Sequence, residues 1–374
     1  MAGRVLHVAH HALPHVGGLE RVAEAETTAL AARGWQVALV TSATGATPGT
    51  SVDRGVRARR VRAWNGLEER HGVPFPLFSP RLVGVLLREV RRADVVHLHD
   101  ALYLSSWIAT AWCWLLRTPY VVHRHVGFVH HSSLLVRAVQ RLVLATLARL
   151  VMERAALVVA IDEPIAEEVR RSVATPVTAI GNGVDADRFR PAERGERDRL
   201  RTGLDLPAEE SLILFVGRPV PKKGFPLVAA ATGERYRIVV AGGDRPAGTD
   251  PRVLFLGTVD AERMPEVYRC ADALVVASVG ECPLTVLEAL SSGVPVVLVE
   301  DPALHSPWTS GPGVWFADPR REPLSGVLEK LVADPVALER AGAAGRDFVR
   351  HRFSWDAHLD ALESAYGKAL ATSR

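Results

Sequence analysis

Short, continuous apolar runs recur along this chain, each followed by a turn bearing glycine or proline and then by a longer segment with helical spacing. Runs rich in Val, Ile and Leu at both alternating sets of positions predict strands buried on two faces of a parallel sheet. In the first half they fall at 5–6, 36–41, 56–61, 95–98, 120–123, 157–161 and 177–180, with helices at 19–33, 79–92, 105–116, 134–154 and 165–173. The alternation pauses after Phe189-Arg190-Pro191 at a charged segment, 193–201, which reads as a connection. It resumes with strands at 213–216, 237–241, 253–256, 273–277, 294–298 and 314–316, and closes on an amphipathic helix over 355–370. This order predicts an α/β protein of two doubly wound domains, 1–190 and 191–355, with the helix of 356–374 packing back on the first. Sheets of this kind bind ligands beyond the carboxyl ends of their strands, so two facing sheets predict one shared cleft.

Composition narrows the class. The 374 residues are 48% hydrophobic and 23% charged, ordinary globular material with no disordered tail. The longest apolar stretch, 101–116, carries Ser105, Ser106 and Thr110 and stops at Arg117, too short and polar to span a bilayer. Residues 4–10 read as a first strand and not as a secretory leader. Three scattered cysteines, Cys113, Cys270 and Cys282, argue against a disulfide framework or a thiolate metal site and for a cytoplasmic setting. Residues 1–190 carry 23 arginines against 16 acids, net +7, whereas residues 191–374 carry 22 basic residues against 26 acids, net −4. A basic first half suits an anionic partner or peripheral contact with a membrane surface; nucleic acid is not an expected partner.

The stretch 273–298 concentrates candidate chemistry: a buried strand, the acidic turn Glu281-Cys282-Pro283, a helix from Leu284 that ends at Gly293, and a second buried strand. Proline suits a first helical turn, leaving the amides of Leu284, Thr285 and Val286 free for an anion. Glu281 and Glu288 bring carboxylates that accept hydrogen bonds from sugar hydroxyls, or serve as a capping acid and a solvated helix acid. Gly217-Arg218 follows a strand, and Lys223-Gly224 lies just beyond. Lysine is otherwise scarce, only Lys222, Lys223, Lys330 and Lys368 occurring in the chain. An arginine fork and a lysine point charge together match a diphosphate. Gly17-Gly18 before the first helix allows close backbone approach, but it is not the dinucleotide fingerprint, and no acid ends the second strand.

Histidines cluster at strand ends: His7, His10, His11, His15; His97 and His99; His123 and His125; His130 and His131. Alternate positions share a strand face, so the two His-x-His pairs raise metal ligation. The preferred expectation is no metal, with one or two histidines lining a cleft and the rest solvated. The 134–154 helix carries Arg137, Arg141, Arg149 and Arg154 among Leu and Val; a buried scaffold helix is preferred to an interfacial membrane helix.

Together these motifs resemble glycosyltransferase family 4, retaining nucleotide-sugar enzymes of the GT-B fold, over nearly the whole length. The resemblance rests on Gly17-Gly18-x-Glu20, the strand leading to His125, Asn182-Gly183-Val184-Asp185, Phe215-Val216-Gly217-Arg218 with Lys223-Gly224, Phe255-Leu256-Gly257-Thr258-Val259, the acidic strand–helix segment, and Arg352-Phe353-Ser354-Trp355. It implies two Rossmann-like domains and a nucleoside-diphosphate sugar held mainly by the second, with no other cofactor. Arg218 and Lys223 would take the diphosphate and Glu288 the ribose. Gly217, Gly257, Val259, Cys282, Pro283, Leu284 and Thr285 would line the nucleotide site, and Gly17 and Gly18 would approach the phosphates. His125, or His123 two residues away, matches the family histidine near the transferred sugar. The family has seven residues between its two acids, whereas this chain has six between Glu281 and Glu288; aligned from Pro283, the first acid falls on Gly280, so either the loop shifts and Glu281 substitutes, or the usual sugar contact is altered. The implied reaction is metal-independent sugar transfer, with retention, to an acceptor hydroxyl whose identity the sequence does not give; a lipid-linked or otherwise anionic acceptor would suit the basic first half. The rivals are an epimerase or hydrolase of sugar nucleotides on the same fold, and a non-catalytic binding subunit.

Overall fold

The computed structural model describes residues 3–15, 17–125, 133–278, 284–301 and 309–372. Its contacts divide the chain into two compact units, Met1–Asn182 with His358–Arg374, and Gly183–Ala357. The division falls earlier than the charged segment where the sequence suggested it. Val184 and Phe189 pack in the core of the second unit, where Val184 N–H donates to Phe353 O and forms an isolated bridge with Ser354.

The first unit runs β1 (Arg4–Val8), α1 (Gly18–Ala32), β2 (Gln36–Ser42), β3 (Gly49–Asp53), β4 (Val56–Val61), β5 (Ala63–Trp64), α2 (Gly66–His71), β6 (Leu77–Phe78), α3 (Arg81–Val90), β7 (Val95–His99), α4 (Leu104–Leu116) and β8 (Tyr120–Arg124). It continues through α5 (Leu134–Val143), a π-turn at Leu144–Ala148, α6 (Arg149–Glu153), β9 (Leu157–Ala160), α7 (Glu163–Ser172) and β10 (Val177–Ala179). Its main sheet has the order β10-β9-β8-β7-β1-β2-β4-β3. Every pairing in it is parallel except β3 with β4. That hairpin turns on Arg54 and Gly55, both at positive φ, as a tight two-residue turn requires. β3 is wholly exposed and carries a single apolar side chain, Val52, which hid it from an apolar-run reading.

The second unit comprises α8 (Glu196–Gly203), β11 (Ser211–Val216), a 3-10 turn at Pro221–Lys223, α9 (Phe225–Ala230), β12 (Tyr236–Ala241), β13 (Leu254–Phe255), α10 (Met264–Cys270), β14 (Ala273–Val276), α11 (Leu284–Ser291), β15 (Val296–Val299), β16 (Val314–Ala317), α12 (Leu324–Val332) and α13 (Pro335–Arg352). Its all-parallel sheet has the order β13-β12-β11-β14-β15-β16. α11 ends as the sequence predicted, with Gly293 at φ 74° and Val294 N–H returning to Ala289 O at 2.9 Å. The segment expected as a charged connection is helix α8: buried Arg201 donates to the carbonyl of Cys270 at 3.0 Å and to Asp272 at 2.8 Å, so its charge serves as internal staple.

The last helix, α14 (Trp355–Thr372), returns to the first unit, where Leu359, Leu362 and Tyr366 join Val5, Leu30, Val95 and Val121 in one core. The 134–154 segment corrects the sequence reading: α5 buries no residue, and Leu134, Leu135, Val139 and Leu142 are all more than half exposed. Its leucines made it look like core; their face is open.

Candidate active site

In the second unit the strand order reverses between β11 and β14, the switch point where doubly wound sheets bind ligands. β11 delivers Gly217, at φ 137°, whose N–H donates to Ala241 O at 2.9 Å. Gly242 N–H donates in turn to Gly257 O at 2.8 Å, and a Cβ on Gly242 would stand 2.6 Å from Gly217 O. The ends of β11, β12 and β13 are thereby laced together by backbone bonds at glycines, which lets another group approach the backbone closely. Val259, two residues beyond Gly257, is half-buried and packs its side chain against the unit's core.

Arg218 is exposed and has no carboxylate partner among the described residues. Lys223 is half-buried in the 3-10 turn, its Cγ 3.9 Å from the Cβ position of Gly217. Gly224, at φ 72°, seats that turn on the end of β14, for a Cβ there would collide with Ala277 O. Both cations therefore belong to one loop beside the switch point.

Beyond β14, α11 starts at Leu284, with Leu284 and Thr285 half-buried and Val286 and Leu287 in the core. Glu288 is half-buried, and its Oε2 accepts a hydrogen bond from Tyr268 Oη at 2.7 Å. Sequence reasoning missed Tyr268, because nothing local marks a helix tyrosine as the partner of an acid on the next helix. Gly280, Glu281, Cys282 and Pro283 lie outside the described residues.

In the first unit, Gly17 precedes α1, and a Cβ there would collide with the carboxylate of Glu20. Glu20 is buried and held by His15 Nδ1 at 2.7 Å; His15 Nε2 lies 3.1 Å from Glu68, which Asn65 also binds at 2.8 Å. The loop before α1 and the start of α2 are thus joined through the two nitrogens of one imidazole. His10 stacks on Tyr103, with ring centroids 3.6 Å apart.

His125 directly follows β8 at 8% exposure, whereas His123 within the strand is wholly buried. Burial, then the neighbouring His123 and His99, hold the His125 imidazole well below its usual pKa, so it is neutral at pH 7. Its Nε2 lies 3.0 Å from His99 Nδ1.

The expectation that most histidines are solvated is overturned. His7, His97, His99 and His123 are completely buried, because β1, β7 and β8 are central strands whose alternate residues meet the underside of α1 and α14. His7 pairs in register with His97, and His99 with His123. Burial lowers His7 to about 4 and His99 to about 3. Glu26 of α1 sits among them, fully buried; although burial opposes its charge, His97, His123 and His358 hold its carboxyl well below the usual range. His358 of α14 donates Nδ1–H to Gly181 O at 2.8 Å and Nε2–H to Glu26 Oε1 at 3.0 Å. Two donated bonds require both ring protons, so His358 is an imidazolium, consistent with a pKa raised by Glu26 against the effect of burial.

Comparison with known proteins extends this geometry. Residues 16–188 match Glycosyltransferase Family 4, and residues 196–348 match Glycosyl transferases group 1. The D-inositol 3-phosphate glycosyltransferase of Actinosynnema mirum is 30% identical, covering 94% of this chain and 92% of its own. Sucrose-phosphate synthase from Thermosynechococcus elongatus superposes with a TM-score of 0.76 at 21% identity, covering 99% of this chain and all of its own. Anabaena HepE, solved with UDP and glucose, gives 0.74 at 15% identity over 98% of this chain and 99% of its own. Two doubly wound units of this kind make the GT-B fold of glycosyltransferases. Within that class the chain belongs to glycosyltransferase family 4.

Proposed function

We propose that this glycosyltransferase takes a sugar from a nucleoside-diphosphate donor and passes it, with retention at the anomeric carbon, to a hydroxyl of an anionic acceptor presented at a lipid surface. The observation that carries the donor is the loop at the β11–β14 switch point, where Arg218 and Lys223 stand beside the glycines Gly217, Gly242 and Gly257 that lace the strand ends together. Anabaena HepE, of the same fold, was solved with UDP and glucose. Glu288, steadied by Tyr268, suits the ribose hydroxyls.

In this reading the bond from the sugar's anomeric carbon to the β-phosphate oxygen breaks as the bond to the acceptor oxygen forms on the same face. The acceptor proton goes to the departing phosphate. The two cations stabilise the charge that grows on that phosphate, so the step needs neither a protein nucleophile nor a metal. Neutral His125 serves as a hydrogen-bonding group toward the transferred sugar.

Two features support the acceptor reading. The relative from Actinosynnema mirum is named for an inositol phosphate, and the first half of this chain is net positive. Leu134, Leu135, Val139 and Leu142 share the open side of α5 with Arg141, an apolar and basic combination suited to anionic lipid. Among the described residues no helix is long and apolar enough to cross a membrane.

The test is nucleoside-diphosphate release from a panel of donors, with and without polyol phosphates and phospholipid acceptors, followed by NMR of the product's anomeric proton. Acceptor-dependent release with retained configuration is expected. Release that no acceptor accelerates would make the enzyme a hydrolase, and an inverted product would remove the same-face mechanism.

A further inference from the structure

Under α1 and α14, four ligand atoms converge in a space closed to solvent: His7 Nδ1, His97 Nε2, His99 Nε2 and Glu26 Oε2, all within 4.8 Å of one another. Glu26 Oε2 lies 4.0 Å from His7 Nδ1, 3.8 Å from His97 Nε2 and 3.9 Å from His99 Nε2, and His7 Nδ1 lies 2.9 Å from His99 Nε2. Ligands held about 2.0–2.2 Å from a tetrahedral zinc stand about 3.3–3.6 Å from each other. The observed spacings straddle that edge. Glu26 Oε2 and His97 Nε2 are buried without any hydrogen-bond partner, an arrangement that proteins rarely leave empty.

The groups around the four atoms fit the same reading. His97 Nδ1 bonds Tyr366 Oη at 2.7 Å and His7 Nε2 lies 3.3 Å from that oxygen, so the far nitrogen of each ring is engaged and the near one is left to face inward. His99 Nδ1 is engaged by His125 at 3.0 Å. The second oxygen of Glu26 takes the bond from His358. Every candidate ligand thus has an outer partner fixing its ring or carboxylate, the pattern that orients metal ligands.

We propose that His7, His97, His99 and Glu26 form a tetrahedral Zn2+ site in the first unit. Three imidazoles and one carboxylate suit zinc and exclude calcium or magnesium, which need a shell of oxygens. With four protein ligands and no solvent access the site is closed, so the ion's role is structural: it ties β1 and β7 to α1. This inference stands apart from the transfer reaction and survives any outcome for the donor site. The ion also fixes His125, because zinc on His99 Nε2 leaves the Nδ1 proton directed at His125 Nε2.

The test uses untagged protein unfolded in guanidinium with a chelator, then refolded with Zn2+, with Co2+, or with chelator alone. One zinc per chain by atomic emission is expected, with a melting temperature raised by several degrees over the chelator sample and tetrahedral visible absorption in the cobalt sample. Glu26→Gln and His97→Ala should lose the metal, whereas His15→Ala, in the separate His11–His15–Glu68 group, should keep it. Wild-type protein that refolds without zinc uptake and melts at the same temperature in all three conditions overturns the proposal, and so does zinc retained in full by Glu26→Gln. Should a variant fail to fold, the wild-type refolding series still decides.

Discussion

Tyr268, buried on α10, donates to Glu288 Oε2 on α11 at 2.7 Å, so this carboxylate is oriented by a side chain from another helix. Replacing Tyr268 by Phe keeps the ring and removes the bond. A net hydrogen bond of about 0.5–1.5 kcal/mol corresponds to a rise of about 2- to 10-fold in KM for the donor, with kcat little changed, because ribose contacts persist from ground state to transition state. Steady-state kinetics with varied donor measures this; an equal fall in kcat would place Glu288 in the chemistry.

Arg218→Ala and Lys223→Ala should each lower kcat by about 10²- to 10³-fold, the usual loss when one oriented group is taken from a developing anion. Arg218 is exposed, so its removal should leave the melting temperature unchanged. Wild-type turnover in either variant would refute the charge-stabilising role.

Gly224→Ala should destabilise the second unit by about 1–3 kcal/mol, since a left-handed φ of 72° disfavours a side chain and the new methyl meets Ala277 O. Denaturant titration with calorimetry of the second transition reads it. Activity should fall too, because this glycine seats Lys223.

Acid should unfold the metal-free protein early. Burial, followed by the other imidazoles, keeps His10 well below 6.5, and burial lowers His11 to about 4. In the unfolded chain both bind protons near 6.5, so the unfolded state takes up protons first as the pH drops. Their contribution is complete above that value and drains away as the pH falls from about 6.5 toward 4. Melting temperatures in chelator should therefore decline between pH 7 and pH 5, and His10→Phe, which keeps the stack on Tyr103, should flatten part of the slope. A flat profile would show these rings already charged in the fold.

Leu134→Glu with Leu135→Glu should abolish co-sedimentation with anionic vesicles at low salt while leaving the melting temperature unchanged, since both side chains are more than 70% exposed. Wild-type protein that ignores such vesicles would remove the lipid-surface reading of the acceptor.

Sheets, helices and the glycine stop of α11 were legible because they rest on local signals: continuous apolar runs, helical spacing, and a residue that tolerates positive φ. The turn that carries Arg218 and Lys223 was legible for the same reason, Gly217 through Gly224 being contiguous. Partnerships across the sheet were not. His97 and His99 are visibly alternate in sequence, but only the β1–β7–β8 order puts His7 and His123 beside them, and nothing near Glu26 announces His358 as its partner. Composition misled twice in opposite directions. The leucines of α5 look buried and are open, while Arg201 looks solvated and is sealed inside.

Because α14 belongs to the first unit, that unit is discontinuous along the chain. A ribosome must make the whole second unit before Leu359, Leu362 and Tyr366 emerge to close the first core, so the usual order of amino-terminal folding first is suspended here. Until then the floor beneath Glu26 stays open to the surrounding water, which gives an ion its passage in, and the arrival of His358 is the event that shuts the door.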